Sequence, residues 1–165
     1  MPYDFPSSAL TPTQAFDLKT NLKHLDQLLA TVDADAIILT SKDPFLSEYV
    51  ALLNHQRYGA TGFTGSTGDA IYWSEKFRKT HAVQSKAVNL FVDGRYHLQA
   101  DQETDPSAVE VVKLQVEPNI EGAILDSFKK YKNLKIALDA ERVSVATLDL
   151  LKGVAKEQGH SLHLF

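Results

Sequence analysis

The sequence predicts a three-layer α/β/α domain around a mixed central sheet of about six strands. Two observations carry that expectation. From Val88 to Phe165, short aliphatic runs alternate with longer segments of helical periodicity, the pattern of strands laid side by side with helices crossing over them. Earlier, Ala70-Ile71-Tyr72-Trp73 and Val88 to Val92 are both strand-like with a polar connection between them, which implies a hairpin and one antiparallel pair.

Each element has its own signal. Thr11 offers an N-cap and Pro12 a first helical position, followed by Phe16, Leu18, Leu22, Leu25, Leu28, Leu29 and Val32 at mostly helical spacing. Asp35 to Thr40 is a short apolar run, as expected of a strand covered on both faces. Ser41 to Pro44 reads as a loop and Leu46 to Leu53 as a short helix, after which Gly59, Gly62, Gly65 and Gly68 punctuate the chain before the first hairpin strand. The connection Ser74 to Ala87 carries Lys76, Arg78, Lys79 and Lys86 and reads as a long solvated loop. Asp93 is placed to cap a helix from Gly94 to about Thr104. Val109 to Gln115, Lys135 to Leu138 and Ser161 to Phe165 complete the strands, with helices at Ile120 to Tyr131 and Ser144 to Gln158.

With 165 residues, 44% of them hydrophobic, one core suffices, so the chain reads as a single domain with residues 1–10 flexible. A formal charge of -4 leaves no basic footprint for phosphates, which argues against nucleic acid as a partner. The absence of cysteine removes disulfides and thiolate metal sites and fits a reducing, cytoplasmic setting. No stretch approaches the roughly 18 apolar residues of a membrane span, so no membrane partner is expected.

Candidate chemistry is thin. The run Gly62 to Gly68 leads into a strand rather than a helix and holds no lysine, so it lacks what makes a glycine loop cradle phosphate; a close backbone crossing is the simpler reading. Ser66 lies between glycines but lacks the spacing and strand-to-helix context of a nucleophile elbow. The six histidines include no i, i+4 pair and read as surface or half-buried residues, and no metal site is expected. Asp35, Asp93 and Asp139 stand at strand ends, where a pair of Mg²⁺ ions is one use of carboxylates and helix capping the ordinary one.

Two stretches nevertheless form a specific pattern. Ser47-Glu48-Tyr49, followed by Arg57 and by Gly62-Phe63-Thr64-Gly65-Ser66-Thr67-Gly68, resembles the signature of the creatinase/prolidase N-terminal domain, best known from Xaa-Pro aminopeptidases. Asp93-Gly94-Arg95-Tyr96 with the following His97-Leu98-Gln99-Ala100 is similar to a second signature of that family. The sequence departs from the pattern at Phe45, at Gln56 beside Arg57, and at Gly59. The resemblance implies the family's fold, with its ribonuclease H-like motif, and a non-catalytic domain that shapes a substrate cleft and subunit contacts. It also implies a C-terminal catalytic domain that is not in this chain, holding two Mn²⁺ or similar ions and cleaving peptides before proline. Arg57 is the expected cleft contact to the peptide substrate, and a homo-oligomer is expected. A free-standing binding module and the N-terminal domain of a creatinase-like amidinohydrolase are the alternatives.

Overall fold

The computed structural model describes residues 16–47, 49–81 and 86–165. Six strands, β1 (Ala36–Leu39), β2 (Asp69–Trp73), β3 (Val88–Val92), β4 (Val109–Lys113), β5 (Lys135–Leu138) and β6 (Ser161–Leu164), form one sheet in the order β4-β3-β2-β1-β5-β6. Only β2 runs against the rest, pairing antiparallel with β1 and β3; the β3–β4, β1–β5 and β5–β6 pairs are parallel.

Every residue of β1 and β3 is buried, because helices cover both faces. The pleat sends alternate side chains into two cores. Ala36, Ile38, Ile71 and Trp73 meet α3 (Glu75–Thr80), α5 (Ile120–Lys129) and α6 (Val145–Gln158) through Phe77, Phe128 and Leu151. Ile37, Leu39, Tyr72 and Leu90 meet α1 (Leu18–Thr31), α2 (Gln56–Thr61) and α4 (His97–Glu103) through Leu29, Ala60 and Ala100.

Helix starts follow side-chain capping. Asp17 accepts from Thr20 N at 3.1 Å and so sets the start of α1 at Leu18; the Thr11 and Pro12 start signal lies outside the described residues. Ser74, Asn119 and Ser144 cap α3, α5 and α6 in the same way.

Three expectations need correction. Among the described residues of Leu46 to Leu53 there is no α-helix, and a 3-10 turn forms at Leu52–Asn54. Asp43 Oδ1 accepts from Phe45 N and Ser47 N, and Leu46 takes a positive φ of 56°, so the side chain holds the backbone in a turn that competes with helix. The Ser74 to Ala87 connection is not a bare loop, since it contains α3. The one apolar residue of α3, Phe77, stacks on Trp73 with ring centroids 4.9 Å apart, too short a pattern to be seen as periodic.

The third correction concerns the histidines. His55 and His160 are buried rather than surface residues, at 7% and 9% exposure. His160 Nδ1 accepts from Leu134 N at 3.0 Å while Nε2 faces the Phe128 carbonyl at 3.1 Å, so the ring is a neutral tautomer that ties β5 and α5 together. Burial pushes the pKa of both rings below 6.5, and nearby cations add to the effect. On acidification the unfolded chain therefore protonates both rings first, and the folded chain does so only at lower pH. Stability is fully present above about pH 6.5 and drains as pH falls toward the folded values. Thermal unfolding between pH 7.5 and 5.5 should show the midpoint falling, with a flatter profile when both rings are replaced by glutamine. A flat wild-type profile contradicts this assignment.

Candidate functional site

The strands β1, β3, β4, β5 and β6 all end at one edge of the sheet, where β2 begins. Both sequence signatures meet there. The glycine run leaves α2 at Gly62, the left-handed C-cap of that helix with φ 76°, and crosses beneath the turn that follows β3. A Cβ on Gly65 would lie 2.3 Å from the Phe63 ring, and one on Gly68 would lie 2.9 Å from the Phe91 carbonyl oxygen. The close-crossing reading of this loop is therefore what the backbone requires.

Arg57 holds the loop from inside. Its side chain is 0% exposed, and its guanidinium donates to the carbonyls of Gly68 at 2.6 Å and Gly65 at 2.5 Å. The Phe63 ring centroid is 4.7 Å from Cζ, a cation-π contact in a dry site. The Nη2 that donates to Gly65 also faces His55 Nδ1 at 3.3 Å, which must accept because a guanidinium only donates. Burial lowers the arginine pKa to about 10, which leaves it charged at neutral pH. Arg57, the expected substrate contact, is thus buried in this chain, with both terminal amines engaged by the loop and by His55 and its Nε buried without a partner.

From above, the loop is held by the second signature. Tyr96 shares a 2.7 Å hydrogen bond with Ser66, whose partner is thus a phenol and not a base that could activate it. Arg95 donates to Thr67 at 3.3 Å and pairs with Asp93 at 2.8 Å, while Glu103 accepts from Thr64 N at 2.7 Å. Asp93 does not cap a helix as expected. Its carboxylate accepts from Arg95 N at 3.0 Å and its carbonyl from Tyr96 N, so residues 93–96 form a turn and α4 starts at His97 without a side-chain cap. Gly94 disfavours helix at that point, and the short carboxylate finds a donor two residues on instead.

The first signature is split by the structure. Glu48 lies outside the described residues. Ser47 N bonds to Asp43, and Tyr49 is 78% exposed beside Phe45 at 88%, an apolar loop turned outward.

Other residues of this edge were not visible in the sequence. Asp69, next to Gly68, accepts from Ser41 N at 2.9 Å, and burial pushes its carboxyl pKa up. Arg142 pairs with Asp139 at 2.9 Å and donates to the carbonyls of Lys42 and Asn54, tying the 41–54 loop to the end of β5. Asp139 also accepts from Glu141 N and so starts a 3-10 turn. The only signal for Asp69 was its place directly after the glycine run; Arg142 bridges residues too distant in sequence to be paired by reading.

Among the described residues no group of three or more His, Asp or Glu side chains could hold a metal ion. Asp35 stands at the opposite edge from Asp93 and Asp139, and two strands separate the latter, so the three carboxylates cannot share an ion pair of metals about 4 Å apart.

What fold and edge define is an α/β domain whose described charged groups hold loops in place at one end of the sheet. The chain belongs to the creatinase/prolidase N-terminal domain family, whose profile matches residues 21–162. It is 30% identical over 125 residues to Xaa-Pro aminopeptidase 1 of Dictyostelium discoideum, covering 74% of this chain and 18% of that protein. A probable Xaa-Pro aminopeptidase P of Neurospora crassa is 28% identical over 148 residues, which is 89% of this chain and 20% of the relative. The chain thus spans about a fifth of the length of these relatives.

Solved structures show the same fold. The X-prolyl aminopeptidase of Caenorhabditis elegans, described as a cytosolic enzyme with a di-nuclear active site, superposes over 90% of this chain and 24% of its own with a TM-score of 0.73 at 19% identity. The N-terminal domain of a cytoplasmic peptidase from Mycobacterium tuberculosis superposes over 88% of this chain and 92% of its own, with a TM-score of 0.62 at 19% identity. Among the described residues no helix is long and apolar enough to cross a membrane.

Proposed function

We propose that this chain serves as the non-catalytic N-terminal domain of an Xaa-Pro aminopeptidase-like metallopeptidase, in a cytoplasmic, oligomeric enzyme. The observation that carries the reading is one of proportion: a match over 74% of this chain accounts for 18% of the Dictyostelium relative. Hydrolysis then belongs to further sequence, where two Mn²⁺ or similar ions would lower the pKa of a bound water and polarise the scissile carbonyl. The residues described here supply no ligand set for those ions. Their part is to form a wall. The outward loop bearing Phe45 and Tyr49 is apolar, as expected of a surface covered by a catalytic domain, and the ordered edge of glycine loop and 93–96 turn lies beside it on the same side of the sheet.

The test pairs two measurements on the 165-residue chain. It should release no product from an Xaa-Pro peptide with Mn²⁺ added, and excess chelator should leave its thermal midpoint unchanged. Metal-dependent turnover, or a large loss of stability with chelator, overturns the accessory-domain reading.

A further inference from the structure

Open α/β sheets bind ligands in the crevice outside the carboxyl ends of neighbouring parallel strands whose connections leave to opposite faces. This sheet has two such points. Between β3 and β4 the crevice is bridged by His97, whose Nε2 lies 2.9 Å from the Leu114 carbonyl oxygen. Between β1 and β5 there is a cavity of about 310 Å³. Strand β1 leads to α2 on one face and β5 to α6 on the other, and the cavity lies by the first turns of α5 and α6. Its size is at the lower end of small-molecule pockets, which start at about 300 Å³.

The lining has two parts. Ile38, Ile124, Leu125 and Leu151 make an apolar floor, and Lys42, Asp69 and Glu121 stand around it. Among the described residues neither the Lys42 ammonium nor the Glu121 carboxylate makes a hydrogen bond or ion pair, and Asp69 is engaged through Oδ1 while Oδ2 takes none. Arg142 also lines the cavity but is already held by Asp139 and two carbonyls. A lysine and two carboxyl groups around an apolar floor do not suit a phosphate, which Glu121 would repel, nor a plain hydrocarbon, which would leave Glu121 unanswered; Asp69 already lies in the field of Lys42 and Arg57 and is drawn toward its neutral form by burial, and an ammonium beside it would favour its charged form.

We propose that this cavity binds a free aliphatic α-amino acid. The side chain lies on the Ile38, Ile124, Leu125 and Leu151 floor, the carboxylate is met by Lys42, and the ammonium is met by Asp69 and Glu121. Burying both charges of a small zwitterion against opposite partners is what makes such a mixed pocket selective, because a ligand lacking either group leaves a protein charge unpaired. The inference rests on the cavity alone and not on the peptidase reading.

Isothermal titration of the 165-residue chain tests it with L-leucine as the probe. Saturable binding is expected, with glycine, 4-methylpentanoate and 3-methylbutylamine each weaker by about tenfold or more, since they lack the side chain, the ammonium and the carboxylate respectively. Lys42→Ala and Glu121→Gln should each weaken leucine by about tenfold while keeping the parent's unfolding midpoint, as both side chains make no hydrogen bond or ion pair in the fold. The proposal is overturned by absence of saturable leucine binding, by equal binding of the acid or the amine, or by full affinity in both variants.

Discussion

Arg57→Ala should lower the free energy of unfolding by about 3–5 kcal/mol, the range found when one partner of a buried charged network is removed. The side chain is wholly buried and donates to the carbonyls of Gly65 and Gly68, which β2 and the loop cannot turn toward water. Deleting it leaves those acceptors unpaired and removes the cation from the Phe63 ring, so desolvation costs and a cavity add together. Arg57→Lys keeps the charge but loses the fork that reaches two carbonyls at once, and should recover only part of the loss. Chemical denaturation of the three proteins reads the effect. A loss below about 1 kcal/mol for Arg57→Ala would mean that the loop holds its path without the guanidinium.

Gly68→Ala should cost about 3 kcal/mol or more, from backbone strain and a steric clash acting together. Gly68 has φ 134°, a conformation that residues with a Cβ rarely adopt, and the new methyl would sit 2.9 Å from the Phe91 carbonyl oxygen. That oxygen belongs to β3, which pairs on both sides, so it has no room to move. Gly59→Ala is the matched control: it lies inside α2 with nothing within 4 Å of the added Cβ, and it should be neutral or stabilising. Equal midpoints for the two variants in a denaturant series would remove the close-crossing account of the glycine run.

The parts of this fold that could be read from sequence are those decided by local pattern. The apolar runs at β1, β3 and β5 mark buried strands because a strand covered on both faces needs apolar residues at successive positions. The hairpin of β2 and β3 followed from two such runs with a polar connection, and the antiparallel pairing confirms it. What escaped depended on competition or distance. The Asp93 carboxylate had two donors within reach, the first turn of a helix and the Arg95 amide two residues on; composition does not rank them, and the turn took it. Likewise the guanidinium of Arg57 suits a peptide ligand and a protein carbonyl equally well. Only the fold shows that Gly65 and Gly68 reach it first. Asp69, Lys42 and Glu121 gather around one cavity from three separate segments, and no spacing rule links them.

The place of β1 in the sheet also has a bearing on how the chain is assembled as it is synthesised. Strands β1 to β4 pair as neighbours in sequence order, so that four of the six strands can form a sheet once Lys113 has emerged. The other edge of β1 must wait for a partner far downstream: Asp35 is bonded to Lys135, 100 residues later. Until then Ala36, Ile37 and Ile38 are an unpaired apolar edge, the kind of surface on which nascent chains stick to one another. A nascent chain that pauses before Lys135 is therefore a four-stranded sheet with an adhesive side, and arrival of β5 and β6 both completes the fold and moves the open edge outward to β6, whose Ser161 and His163 give it a less apolar face.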